Sequence, residues 1–313
     1  MRMRGLVAVL AVSVATVLMT KAKALDAIGR YNVEEADFIY AVVEGVELRA
    51  HSYRPVVEGI LPAVVEVHGG AWNQFDRMAG DLYNKALASS GVYIMAVDFR
   101  QGPQFQHPKA SRDVAAAVRY LRLHSKRLQI DPGSIGLIGS SSGGHLALLA
   151  GLQPNDKAHL GTPLLQADGT VAAADAIDAS VKYIIALWPV SDPAFRFSYA
   201  REVGRDDLIK AHNAYFGNET AMRDASIPRL LRAGESTKPV PPVQIVQPGE
   251  DRNIPRAMTF DFVAAYQDAG GSVDYHFYPG QPHAFAHRPS DATDDCIRAM
   301  HDFIQRQLFS AKP

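Results

Sequence analysis

One cysteine, Cys296, in 313 residues leaves no partner for an intramolecular disulfide and no thiolate pair for a cysteine-based zinc site. Charge of one sign is lacking as well: 32 lysines and arginines face 33 aspartates and glutamates, for a net charge of -1. That balance offers neither the basic footprint of a nucleic-acid binder nor a polyanionic surface. Internal repeats and low-complexity tracts are missing, and 47% hydrophobic with 21% charged residues excludes a disordered or collagen-like chain. Packing of a large apolar core must hold such a chain together.

The one long apolar run, Gly5 to Met19, follows the basic Met1-Arg2-Met3-Arg4 and precedes Ala22-Lys23-Ala24. A basic start, an apolar stretch too short for a comfortable membrane span and an A-x-A site form the pattern of a secretory signal peptide. Residues 1–24 are therefore expected to be cut off after Ala24, leaving a secreted or periplasmic protein with no stable membrane association. Lys21 and Lys23 beside the site keep an uncleaved anchor as the alternative.

Residues 25–313 have a length that suits one large α/β domain or two small ones. Apolar runs rich in Val and Ile at Ala63 to Val67, Val92 to Val97, Ile135 to Ile138, Val181 to Trp188, Val243 to Val246 and Val273 to Tyr278 read as buried strands. Helical spacing lies between them: Val114, Val118 and Leu121 share one face, as do Met258, Phe262 and Ala265. The second of these helices opens near Pro255 and ends at Gly270-Gly271. Strand and helix in alternation predict one mostly parallel sheet with helices on both faces. Asp37 to Val43 and Val46 to Tyr53, separated by Glu44-Gly45, predict a hairpin added at the N-terminal edge. Two intervals, Gln153 to Ser180 and Ser191 to Pro242, are longer than a connection needs and are candidates for a lid, chiefly residues 191–242. Phe195, Phe197, Tyr199, Tyr215 and Phe216 in the second either line an apolar pocket or pack the insertion down.

Gly139-Ser140-Ser141-Ser142-Gly143 matches G-x-S-x-G, five letters that gain weight from a strand running in and an apolar helix running out. Ser141 stands at the tip of that strand–turn–helix, where side chains at positions 139 and 143 would collide with backbone. The Ser142 amide opens the helix and faces a developing negative charge. A serine needs a base, and the base a carboxylate to orient it. Asp251 in Gly249-Glu250-Asp251-Arg252-Asn253-Ile254-Pro255 and His283 in Gln281-Pro282-His283-Ala284-Phe285 follow the next strands, at the edge where open α/β sheets gather their functional groups. The order Ser141, Asp251, His283 is that of nucleophile-elbow hydrolases. Glu250 is the rival carboxylate, but D-x-x-x-P favours Asp251. His287 with His283 forms H-x-x-x-H, a metal pattern without its glutamate and on a loop after Pro282. His145 is read as packing or hydrogen-bonding within its helix and not as the base. His68-Gly69-Gly70-Ala71-Trp72, after the first parallel strand, sits where a second oxyanion donor belongs, with His68 holding the loop.

These motifs in order, with V-x-L-x-A-x-x-Y-R-P from Val46, VDFR at Val97 to Arg100 and SDP at Ser191 to Pro193, resemble α/β-hydrolases of the esterase and lipase type. The resemblance is to the hormone-sensitive-lipase-like and feruloyl-esterase-like branches that carry an HGGG loop. It implies the α/β-hydrolase fold, a Ser141–His283–Asp251 triad, and oxyanion amides at Gly70 and Ala71 joined by Ser142, with Ala71 in place of a glycine. It also implies an acyl-enzyme route on small-molecule esters, short-chain or small aryl or sugar, with no metal or organic cofactor. A secreted peptidase of the prolyl-oligopeptidase type shares the triad order, although the large N-terminal domain of such enzymes has no counterpart here. A non-catalytic binding protein on the same fold and a metal-dependent lactonase are the remaining alternatives. The oligomeric state is not read from the sequence.

Overall fold

In the computed structural model, which describes residues 25–309, the Val- and Ile-rich runs become strands of a single sheet. The expected signal segment, residues 1–24, lies outside the described residues. The chain starts with the hairpin β1 (Val33–Val43) and β2 (Val46–Pro55), then β3 (Ala63–Val67), α1 (Asp81–Ala88), β4 (Tyr93–Val97), α2 (Lys109–Leu123) and the short α3 (Ser125–Leu128). There follow β5 (Gly136–Ser140), α4 (Ser142–Leu152), the two-residue strands β6 (Leu164–Leu165) and β7 (Val171–Ala172), and β8 (Ile184–Leu187). Four helices come next, α5 (Pro193–Glu202), α6 (Asp206–Phe216), α7 (Glu219–Asp224) and α8 (Ile227–Arg232). The chain closes with β9 (Val243–Glu250), α9 (Arg256–Asp268), β10 (Val273–Pro282) and α10 (Asp291–Phe309).

The strand order is β10-β9-β8-β5-β3-β4-β2-β1-β6-β7. From β10 to β4 all neighbours run parallel, and β2, β1, β6 and β7 extend the sheet antiparallel. This is the mostly parallel sheet expected from the alternation of strands and helices, and the α/β-hydrolase fold that the resemblance implies. Its reason is visible in burial. β3, β4, β5 and β8 are buried at every residue, as strands covered on both faces must be. Val114, Val118 and Leu121 of α2, and Met258, Phe262 and Ala265 of α9, form the buried faces their spacing predicts. Glu44 and Gly45 both take left-handed φ, 50° and 76°, which closes the edge hairpin in two residues. Cys296 is fully buried in α10, and burial pushes its thiol up to about 12, so it acts as a small packed side chain.

Two expectations are corrected. The run Val181 to Trp188 contributes only Ile184–Leu187 to the sheet, because Trp188 turns to a left-handed φ of 40° and leaves the strand. The interval Gln153 to Ser180 is not a cover for Ser141: its β6 pairs with β1 through Ala41 and Leu164, at the far edge from the elbow. Arg119 of α2 fastens it there, donating to the carbonyls of Ile177, His159 and Pro154 at 2.8, 2.7 and 3.0 Å. Among the described residues no helix is long and apolar enough to cross a membrane.

Candidate active site

β5 ends at Ser140 and α4 begins at Ser142, so Ser141 alone makes the turn, with φ 54° and ψ -117°. A non-glycine residue in that region costs on the order of 1–3 kcal/mol and persists only where its surroundings hold it. Here they do: the Ser141 amide donates to the Leu187 carbonyl at 2.9 Å, and the Ser141 carbonyl accepts from Val190 at 3.0 Å. A Cβ on Gly139 would meet the Gly143 carbonyl oxygen at 2.3 Å, and one on Gly143 the carbonyl oxygens of Val67 and His68 at 2.1 and 2.3 Å. The motif's glycines are therefore steric necessities of this turn.

β9 and β10 bring the other two groups to it. They are parallel neighbours and run on past Val246 and Tyr278, the ends expected from the sequence, with an irregularity that pairs Pro282 with Glu250. The next residues, Asp251 and His283, thus leave adjacent strands side by side. His283 Nδ1 lies 2.8 Å from Asp251 Oδ2, and His283 Nε2 lies 3.1 Å from Ser141 Oγ. The other carboxylate oxygen, Asp251 Oδ1, accepts the backbone amides of Asn253 at 2.7 Å and Ile254 at 2.9 Å, so both oxygens have fixed partners. The Asp251 side chain is 1% exposed and that of His283 18%, which leaves the imidazole open to a reactant and its partner shielded. Glu250 is exposed and does not join this chain of hydrogen bonds.

The loop after β3 lies against the elbow: a Cβ on Gly69 would come within 3.2 Å of Ser141 Cβ. Gly70 has φ 104°, and a Cβ there would meet the Gln74 carbonyl oxygen at 2.0 Å. Ala71 takes φ 50°, so the alanine occupies a left-handed conformation that a glycine would enter more freely. The amides of Gly70, Ala71 and Ser142 have no acceptor among the described residues. His68 is fully buried, stacks on Phe99 at 4.4 Å and bonds the Gly69 carbonyl through Nδ1 at 2.7 Å, and burial holds its pKa below the usual imidazole value. It braces the loop. His145 bonds outside its helix, to the Ala225 carbonyl at 2.9 Å, and burial pushes its pKa down to about 3.

Ser141 and His283 open on a cavity of about 380 Å³ lined also by Gly69, Gly70, Phe75, Trp188, Phe285, His287 and Arg288. A larger groove of about 680 Å³, among Glu34, Phe38, Arg54 and Tyr120, holds none of these groups. Neither Ala71 nor any residue of 191–242 lines the smaller cavity. Of the five insertion aromatics, Phe197, Tyr215 and Phe216 are buried as packing, while Phe195 is 39% exposed. His287 packs between Tyr83 and Trp188, and burial with the nearby His283 lowers its pKa to about 4. No group of three or more His, Cys, Asp or Glu is placed to hold a metal ion among the described residues. Phe75, Trp188 and Arg288 carried no sequence signal beyond closeness to strand ends and motifs.

Residues 53–265, well over half of the chain, match the BD-FAE family. Esterase LipC of Mycobacterium tuberculosis is 28% identical over 229 residues, covering 72% of this chain and 53% of its own length. The acetyl esterase of Salmonella schwarzengrund is 27% identical over 271 residues, covering 84% of this chain and 77% of the relative. The chain spans about half the length of LipC and of esterase LipQ, the latter also from M. tuberculosis. A thermophilic esterase of Thermogutta terrifontis superposes with a TM-score of 0.68 at 22% identity, over 91% of this chain and 97% of its own. The hyperthermophilic esterase of the archaeon Pyrobaculum calidifontis gives 0.71 at 20% identity, over 90% and 88%. Both share the fold.

Proposed function

The chain belongs to the BD-FAE family, and we propose that it is a serine carboxylic-ester hydrolase working through an acyl-enzyme on short-chain or small aryl or sugar esters. The observation that carries this reading is the continuous hydrogen-bonded chain from Asp251 through His283 to Ser141, ending in a cavity of about 380 Å³. Curated relatives that act on esters support it, the acetyl esterase of S. schwarzengrund among them. A cavity of this volume lies at the small end of ligand sites and suits a compact ester.

On this reading His283 Nε2 takes the Ser141 Oγ proton as the oxygen attacks the ester carbonyl carbon. Asp251 keeps the Nδ1 proton in place and steadies the imidazolium. The carbonyl oxygen, now an alkoxide, is received by the free amides of Gly70, Ala71 and Ser142, the last at the positive end of α4. Collapse of the intermediate expels the alcohol with the proton from His283, and water releases the acyl group by the same route. The scheme uses no metal or organic cofactor. Export with cleavage after Ala24 completes the proposal, supported by the N-terminal pattern of charge, apolar run and small residues.

The test is Ser141→Ala on 4-nitrophenyl acetate, with kcat expected to fall by about 10⁴-fold or more. Wild-type protein should bind a fluorophosphonate covalently and the variant should not. A variant that keeps the wild-type rate refutes the mechanism, and a wild type that neither hydrolyses esters nor takes the label leaves a binding protein on a hydrolase fold.

A further inference from the structure

Among the residues that line the cavity at Ser141, Arg288 is the one lysine, arginine, aspartate or glutamate. Arg288 follows the one-turn segment Phe285–His287 and is exposed. Its guanidinium makes no hydrogen bond or ion pair among the described residues; its backbone is what the fold uses, the amide donating to the Phe285 carbonyl and the carbonyl accepting from Thr293 Oγ1 at 2.6 Å. Arg100 differs sharply, its guanidinium held on the Asp113 carboxylate at 2.9 and 2.7 Å. A free five-donor fork on the wall of a cavity that has no carboxylate favours an anion there.

Phe75, on the loop after β3, belongs to the same wall. It is 67% exposed, takes a left-handed φ of 69°, and its carbonyl accepts from Gln101 Nε2 at 2.9 Å. Its ring has no aromatic or cationic partner among the described residues. A non-glycine residue in a left-handed conformation that presents an apolar ring to solvent beside Ser141 is a strained position of the kind that gathers at ligand sites.

We propose that the esters this site prefers carry a second, anionic carboxylate, recognised by Arg288, on a flat body that lies against Phe75. The inference rests on the ester-hydrolase reading and adds the charge of the substrate to it. Only the ester bond is cut: water adds across the acyl–oxygen bond to give an acid and an alcohol, and the distal carboxylate leaves unchanged.

The experiment compares 4-acetoxybenzoate with 4-acetoxybenzamide, which share ring and acyl group and differ in charge. The readout is the ratio of kcat/KM for the two, in wild type and in Arg288→Gln, Arg288→Lys and Arg288→Glu, so that intrinsic reactivity cancels between proteins. Arg288→Gln should lower the ratio about fivefold, Arg288→Glu should lower it further, and Arg288→Lys should keep most of it. The change should enter through KM and shrink as salt rises from about 20 mM to about 500 mM. Phe75→Ala should slow both aryl esters relative to ethyl acetate. Circular dichroism checks that each variant is folded. A ratio equal in wild type, Arg288→Gln and Arg288→Glu overturns the proposal, and does so separately from the mechanism, since hydrolysis of the neutral amide probe by wild type shows that the esterase itself is at work.

Discussion

Replacing Glu66 with glutamine should stabilise the protein at alkaline pH and leave it nearly unchanged in mild acid. Glu66 is fully buried near the C-terminal end of β3, with no cation paired to it among the described residues. Tyr83 donates its hydroxyl to Oε1 at 2.7 Å and Asn84 its amide to Oε2 at 3.4 Å, but burial outweighs both and lifts the carboxyl from 4.5 to about 7. Below pH 4.5 the folded and unfolded chains both hold the proton. Between 4.5 and 7 only the folded chain does, so stability falls as pH rises, and above 7 the folded state carries a buried charge. A displacement of that size is worth about 3 kcal/mol. Glutamine cannot ionise, and its carbonyl keeps the Tyr83 bond. Its amide faces Asn84, whose buried Oδ1 has no partner and becomes the acceptor once the Asn84 amide turns over. Urea unfolding of wild type and Glu66→Gln at about pH 4 and about pH 8.5 measures the effect: close to zero at the first and about 3 kcal/mol in favour of the variant at the second. His107, His145 and His212, held down by burial to about 4, 3 and 3, weaken both proteins as pH drops below 6.5, and this background cancels in the comparison. The same difference at both pH values, or a variant less stable at the higher one, refutes the reasoning.

Two further outcomes are expected. Asp251→Asn should lower kcat by about 10³- to 10⁴-fold with the fold intact: the asparagine oxygen stays on the Asn253 and Ile254 amides, its NH₂ faces His283 Nδ1, and the ring proton moves to Nε2, where it blocks uptake of the Ser141 proton. Activity at the wild-type level in a crystallographically unchanged variant would rule this out. Expression of the full chain in an exporting bacterial host should yield periplasmic or secreted protein whose N-terminal sequencing begins at Leu25, whereas recovery of the intact N-terminus in membranes would favour the anchor.

The elbow was legible because its constraints are local. Gly139 is demanded by a contact within the turn itself and Gly143 by the end of the neighbouring β3, so the two glycines mark Ser141 in the sequence as they do in space. Asp251 and His283 were legible because parallel strands end at one edge, so chain order becomes spatial proximity. What the sequence concealed depends on contacts between distant segments. The strands β6 and β7 are two residues each, too short for an alternation pattern, and exist only because Leu164 meets Ala41. The cavity wall draws Phe75, Trp188 and Arg288 from three separate loops, and each is a common residue type until the sheet brings them together.

The insertion at 191–242 packs on the back of the loop after β3 through Trp72 and Asn73. Trp72 follows Ala71, is fully buried, and its amide donates to Ser142 Oγ at 3.1 Å, tying the loop to the first turn of α4. Its ring lies against three elements. Tyr215 of α6 stacks on it at 5.3 Å and 6°, Arg196 of α5 sits over its face at 5.0 Å, and His145 of α4 meets its edge at 5.6 Å. Arg196 is 1% exposed and burial brings its pKa down to about 9, while the indole face, a hydrogen bond from its Nε to His212 Nε2 at 3.3 Å and the fields of Asp251 and Asp207 favour its charge. Asn73, the next residue, donates to the Ala211 carbonyl of α6 at 3.1 Å. A shift of α5 or α6 would therefore reach Gly70 and Ala71 through a single rigid ring and its neighbour. Position in the chain separates the insertion from Ser141, but contacts through Trp72 and Asn73 join the insertion, the loop after β3 and the first turn of α4.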